Sequence, residues 1–284
     1  MKFAIIDIGS NSVRLMLWAN GKTLYKKLIT TRLGSGLSSA ATLREDAMNR
    51  TLEAVCQFCG EARAEDARIY AFATAAVRSA TNGKEFCDRV FHACGIEVEV
   101  VSGAEEAQLG IFGALGRSDG GIIDIGGAST EICYRRGTET VFSVSLPIGA
   151  VKLYDACGDD ADKLSRYIDE IISPLKGVVP VGTTYAIGGT ASTLAAFKAK
   201  LAEYDPTRLH GLSLTSEWLA ESAEFLLRMP LAERKQIPAV AHRADIIAGG
   251  ALLLSRLTKI LRISEVTFSD SDNLEGYMIL RGLQ

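Results

Sequence analysis

Ile5-Ile6-Asp7-Ile8-Gly9-Ser10-Asn11-Ser12 and Ile122-Ile123-Asp124-Ile125-Gly126-Gly127-Ala128-Ser129 are two versions of one phrase, with Asp7 falling on Asp124. Ile, Ile, Asp, Ile, Gly and the closing Ser coincide. Two short apolar strands would match on composition alone, but a shared Asp-x-Gly-x-x-Ser would not. Each copy reads as a buried strand that ends in Asp and turns through Gly into a second strand. The chain is therefore expected to contain a duplicated strand–turn–strand unit, one copy per domain.

Working outward, the same alternation of elements surrounds both copies and defines an α/β protein. Strands are expected at 3–8, 13–19 and on to about Leu33, with Asn20-Gly21 as a hairpin turn between the last two. Thr42-x-x-Glu45 reads as a capping box opening a helix to about Arg63, and Ser102-x-x-Glu105 as another opening a helix to about Leu115. Between them come a strand at 69–74, a helix at 83–94 ended by Gly95, and a strand at 96–101. The second round has strands at 121–125, 130–136, 139–146, 184–187 and 264–268. Its helices are expected at 149–157, 160–175, 190–203, 215–228, 243–261 and 273–282. The turn at 117–120 is the best boundary, giving domains 1–117 and 118–270. A C-terminal helical segment, about 271–284, returns to the first.

Composition narrows the function classes. In 284 residues, 31 Lys+Arg stand against 34 Asp+Glu, a balance that argues against a dedicated nucleic-acid binder. The longest apolar-and-glycine run, 246–254, is far short of the roughly 18–20 residues that cross a bilayer, so no membrane partner and a cytoplasmic location are expected. Cys56-x-x-Cys59 lies in an apolar pattern at helical spacing with no second such pair, and reads as core thiols on a helix face. Three scattered histidines, 92, 210 and 242, make a His-based metal site improbable.

The duplicated turn has a chemistry of its own. A strand that bends through Gly exposes several backbone N–H groups, and such a concavity attracts anions. Ser10, Ser12, Ser129 and Thr130 can add hydroxyl donors. Asp7 and Asp124 would repel a bound phosphate unless a cation lay between, and Mg²⁺ is the natural bridge. Two such turns facing each other would clamp a phosphate chain, with Gly9, Ser10, Asn11 and Ser12 on one side and Gly126, Gly127, Ala128 and Ser129 on the other. Gly188-Gly189, a third turn leading into a helix, is either another anion site or a plain close turn.

These segments resemble the exopolyphosphatase / guanosine pentaphosphate phosphohydrolase (Ppx/GppA) family, within the actin, sugar-kinase and heat-shock-chaperone ATPase superfamily. Further matches are Arg32-Leu-Gly-Ser-Gly-Leu, Ala73-Thr-Ala-Ala-Val-Arg78 and Ser102-Gly-Ala-Glu-Glu-Ala. Ile187-Gly-Gly-Thr, His210-Gly-Leu and Arg243-Ala-Asp-Ile-Ile-Ala-Gly-Gly-Ala complete the set. The resemblance implies two RNase H-like (actin-like ATPase) domains with a cleft between them. It implies Mg²⁺-dependent release of terminal phosphate from inorganic polyphosphate, or guanosine pentaphosphate as the alternative substrate, and leaves a homodimer open. It also implies Glu106 as general base, Asp7 and Asp124 as metal residues with Glu131 at the rim, and Arg78 and Arg32 either gripping the chain or forming surface ion pairs. Lys26 and Lys27, on a hairpin strand, are expected to be solvated.

The chain departs from the family pattern in three places. Ala128 replaces a third glycine, Gln108 replaces an Arg after Glu-Glu-Ala, and Asp272-Asn273-Leu274-Glu275-Gly276 replaces Gly-Leu-Arg-Glu-Gly. Two lost cations bear on substrate identity more than on catalysis. A kinase-type phosphotransferase and a non-catalytic polyphosphate or alarmone sensor are the rival readings. The Glu105-Glu106 helix fits a water nucleophile better than an acceptor alcohol.

Overall fold

The strands that carry Asp7 and Asp124 as their penultimate residues lie inside two sheets built to one plan. In the computed structural model, which describes residues 1–283, the first sheet contains β1 (Lys2–Ile8), β2 (Ser12–Ala19), β3 (Lys22–Thr30), β4 (Ala67–Ala73) and β5 (Val98–Val100), in the order β3-β2-β1-β4-β5. The second contains β6 (Gly120–Ile125), β7 (Thr130–Arg136), β8 (Glu139–Leu146), β9 (Thr184–Ile187), β10 (Ser213–Thr215) and β11 (Glu265–Phe268), in the order β10-β11-β9-β6-β7-β8. In both, an antiparallel three-strand meander is extended on one side by two parallel strands. β10 is the one addition, antiparallel on the edge of β11. Gln284, the end of the expected C-terminal segment, lies outside the described residues.

The central strands are apolar on both faces because helices cover both. Ile6 and Ile8 pack with the helix Glu45–Ala64, while Ile5 on the other face packs with the returning C-terminal helix, Asn273–Leu280. There Tyr277 stacks on Phe72, with ring centroids 4.9 Å apart. The C-terminal helix also crosses the helix Gly103–Leu115 at backbone contact. A methyl at Gly276 would lie 1.8 Å from the Leu109 carbonyl oxygen, and one at Gly113 would lie 1.8 Å from that of Asp272.

Local signals account for most element ends. Asn20 and Gly21 both have positive φ, 55° and 76°, the two-residue turn that matches the twist of a hairpin. Gly95, at φ 64°, closes the helix Gly83–Cys94. Ser102 and Glu105 form the expected reciprocal capping box.

Elsewhere the structure differs from expectation. Thr42 caps nothing: the helix Glu45–Ala64 starts two residues later, after Arg44, and the Thr42 hydroxyl donates to the Ala40 carbonyl instead. The helix expected at 190–203 spans Gly188–Lys198, because Gly188 takes a positive φ that lets the turn close immediately. The helix expected from 243 begins at Ile247, after a 3₁₀ turn over Ala241–Arg243. Short helices at Ala75–Ser79, Pro206–Leu209 and Leu231–Arg234 were below the length that periodicity resolves. All six cysteines are free. Cys56 and Cys59 sit on one helix, with the Cys56 and Cys94 sulfurs 2.8 Å apart, and burial pushes all three thiols up. Among the described residues no helix is long and apolar enough to cross a membrane.

Candidate active site

The two copies of the turn have the same backbone geometry. The Gly9 N–H donates to the Ser12 carbonyl at 3.0 Å, and the Gly126 N–H donates to that of Ser129 at 3.0 Å. A methyl on either glycine would crowd that carbonyl, at 3.1 and 3.2 Å. The turns also meet: a methyl on Gly127 would lie 2.7 Å from the Ser10 Cβ. Both therefore border one crevice, a cavity of about 570 Å³ that takes in Asp7, Gly9 to Ser12, Glu106, Asp124, Gly126, Gly127, Ser129, Gly188 and Gly189.

Strand register puts Arg14 across from Asp7, and Glu131 across from Asp124. Arg14 donates to Asp7 Oδ2 through Nε, at 2.9 Å, and through Nη2, and its Nη1 donates to Asp272. Burial nevertheless raises the Asp7 carboxyl above its ordinary range, with Arg14 working in the opposite direction. Asp124 accepts from Asn273 Nδ2 at 3.1 Å, and burial pushes it up to about 6. Gly188 is obligatory here: at φ 78°, a side chain there would also lie 2.2 Å from Asp124 Oδ1.

Glu106 projects from the first turn of the helix Gly103–Leu115 and is 6% exposed. Its Oε2 accepts from Arg78 Nη1 at 2.9 Å, and the same nitrogen donates to the Val101 carbonyl. Burial pushes Glu106 up to about 7, against the lowering effect of Arg78. Glu105 is spent on the cap, as its position predicts.

Four expected site residues lie outside the crevice, and the first, Arg78, backs Glu106 from a second cavity. Glu131 is not at the rim. It is fully buried in the wall, where its Oε1 accepts from Ser145 and burial raises it well above the carboxylate range. Arg32 lines neither large cavity and pairs with Asp245 at 2.7 Å. Ala128 faces away from the main crevice into a second cavity, and its φ is not positive, so its methyl crowds nothing in the first. Gln108 is exposed and outside both cavities, so the cation missing there does not empty the crevice of charge.

Other cations and an amide occupy the crevice instead. Lys26 is not solvated: it lines the cavity and pairs with Asp270 and Glu275. Lys27 pairs with Glu61. Arg243 lies flat against the start of the helix Gly188–Lys198, where a methyl on Gly189 would fall 2.2 Å from its Nη2. Among the described residues its side chain makes no hydrogen bond or ion pair, and burial lowers it to about 10. Arg14 was legible from hairpin register. Arg243 opens one of the segments that carry the family resemblance and Asn273 lies in one that departs from it, but nothing local to either indicates that its side chain enters the crevice.

The site also fits a divalent cation. Asp7 Oδ1 is buried without a partner, and Asp124 faces the same cavity. Among the described residues no cluster of three His, Cys, Asp or Glu is assembled to hold a metal. A cation would thus rest on at most two carboxylates and take its remaining oxygens from ligand and water, the coordination habit of Mg²⁺.

Twin three-plus-two sheets, each with a glycine turn at the end of its central strand, define a two-sheet α/β protein with one cleft shared by both turns. The chain belongs to the Ppx/GppA phosphatase family, whose model matches residues 18–281. It is 30% identical to Exopolyphosphatase 2 of Mycobacterium tuberculosis over 97% of both chains. It is 27% identical to a guanosine-5'-triphosphate,3'-diphosphate pyrophosphatase of Photobacterium profundum, over 96% of this chain and 58% of that one. The crystal structure of the Aquifex aeolicus Ppx/GppA family member superposes with a TM-score of 0.81 at 28% identity, covering 100% of this chain and 98% of that one.

Proposed function

We propose that the protein is an exopolyphosphatase, hydrolysing the terminal phosphoanhydride bond of inorganic polyphosphate with Mg²⁺ as its metal. The observation that carries this reading is Glu106, a buried carboxylate on a rigid helix turn, opening onto the crevice that both glycine turns share. The backbone N–H groups of Gly9 to Ser12 and Gly126 to Ser129 would hold two neighbouring phosphates, with Gly188, Gly189 and Arg243 receiving the next. Glu106 takes a proton from water as the water oxygen bonds to the terminal phosphorus. The bridging P–O bond breaks, and its electron pair leaves with the shortened chain. Mg²⁺, when held by Asp7 and Asp124, neutralises phosphate charge. Arg78 fixes the orientation of the Glu106 carboxylate. On this reading 1–117 and 118–270 are the two domains that close on the chain, and free cysteines fit a cytoplasmic enzyme.

Glu106→Gln keeps shape and removes the base. Phosphate release from polyphosphate should fall by at least about a hundred-fold while polyphosphate still binds. A variant as fast as wild type would dismiss Glu106 as the base. Guanosine pentaphosphate is the second candidate, favoured by one observation: beyond the glycine turns the crevice continues along Leu201, Tyr204, Pro238, Ala239 and Phe268, an apolar and aromatic wall suited to a nucleoside. Comparing phosphate release from the two substrates decides between them.

A further inference from the structure

Behind Glu106 lies a second cavity of about 390 Å³, whose charged lining is entirely cationic: Arg78 and Lys152, with no carboxylate. Three hydroxyls, Ser79, Ser129 and Ser145, also border it, but Ser79 donates its proton to the Ala75 carbonyl, and Ser145 and Ser129 direct theirs to Glu131, so Arg78 and Lys152 are the donors it offers an anion. Lys152 comes from the helix Ala150–Cys157, and its Nζ donates once, to the Pro147 carbonyl at 2.8 Å, leaving two of its three protons unassigned. Burial lowers its proton affinity and no nearby carboxylate offsets this. Arg78 commits only Nη1, to Glu106 and Val101, and among the described residues its Nε and Nη2 make no hydrogen bond. Glu106 compensates Arg78 from the crevice side, whereas the Lys152 ammonium has no carboxylate partner among the described residues, so an anion held between the two cations would supply the missing countercharge.

The chamber adjoins the main crevice, since Ala75 and Ser129 line both. The Arg78–Glu106 pair stands at the partition, with Glu106 on the crevice side and Arg78 on the chamber side. We propose that the chamber is an orthophosphate site, taking up the phosphate freed at Glu106 before it escapes to solvent. Its role as an outlet rests on the hydrolytic reading above; its capacity to bind phosphate does not. Ala128, where relatives are expected to carry glycine, belongs to the wall of this chamber rather than to the crevice.

Calorimetric titration of the full chain with inorganic phosphate tests the proposal, using Lys152→Ala and the conservative Lys152→Arg, with circular dichroism to verify folding. Removing one charge-assisted contact should weaken phosphate binding about ten-fold or more in Lys152→Ala, and Lys152→Arg should restore it. Inhibition of polyphosphate hydrolysis by added phosphate should weaken by the same factor. Phosphate that binds wild type and Lys152→Ala equally, or binds neither, overturns the site. Lys152-dependent binding in a protein that cuts no polyphosphate upholds the site and rejects the hydrolytic reading instead.

Discussion

Burial determines when Glu106 can act. A carboxylate removed from water holds its proton more tightly, and for Glu106 this outweighs the attraction of Arg78, leaving half-protonation at about 7. A general base works only when ionised, so the rate should rise with pH through about 7 and level off above it. An exposed glutamate would reach its plateau near pH 5 to 6, given an ordinary value of about 4.3. The pH profile of phosphate release at low substrate, which reports the free enzyme, checks this. A profile flat from pH 5 upward would remove the burial argument. Arg14 makes a related point, because one guanidinium pairs with both Asp7 and Asp272, leaving one carboxylate oxygen of Asp7 without a partner and a net negative charge for a cation to meet. Arg14 was readable in outline: a three-residue turn between β1 and β2 brings it opposite Asp7 by register. Its second partner was not, since Asp272 lies far along the chain.

Glycine at a helix crossing connects the elements to the site. The helix Gly103–Leu115 carries Glu106, and the helix Asn273–Leu280 begins with the side chains that hold Asp124 and Arg14. Their spacing is set by Gly113 and Gly276, where each backbone touches the other helix. Gly276→Ala should force the helices apart, costing about 1–3 kcal/mol of stability in urea denaturation. It should also lower turnover by loosening the Asn273–Asp124 hydrogen bond. A variant of unchanged stability and rate would show that the crossing tolerates the methyl. Both helices were legible in the sequence, and the capping box at Ser102 places Glu106 in the first turn of the earlier one, whereas the capping box formed by Asp272 and Glu275 was not read. Their contact was not, because nothing local to Gly276 points to Leu109. Thr42-x-x-Glu45 is the converse case, a cap pattern that the chain leaves unused because the helix begins at Glu45 itself.

For the whole molecule, the crevice between twin sheets should respond to what binds in it. Chelating divalent metal should abolish phosphate release and Mg²⁺ should restore it, whereas orthophosphate binding at Lys152 should survive chelation. With Mg²⁺ present, a non-hydrolysable imidodiphosphate at a hundred times its dissociation constant should add about 2.7 kcal/mol to unfolding stability, and without Mg²⁺ much less. Thermal denaturation with and without chelator reads both effects. Equal stabilisation in both conditions would show that the carboxylates hold no metal. The repeated plan of strands, the glycine turns and the position of Glu106 follow from residues close together in the chain, because strand alternation, turn chemistry and helix caps are local. Apart from Arg14, which hairpin register places beside Asp7, which polar side chains enter the crevice, and where each finds its distant partner, follows only from the fold. Lys26, Arg14 and Asn273 find partners 244, 258 and 149 residues away, while Arg32 is drawn off to Asp245. An ion pair depends on which distant segments packing brings together, and no local pattern of residues encodes that choice.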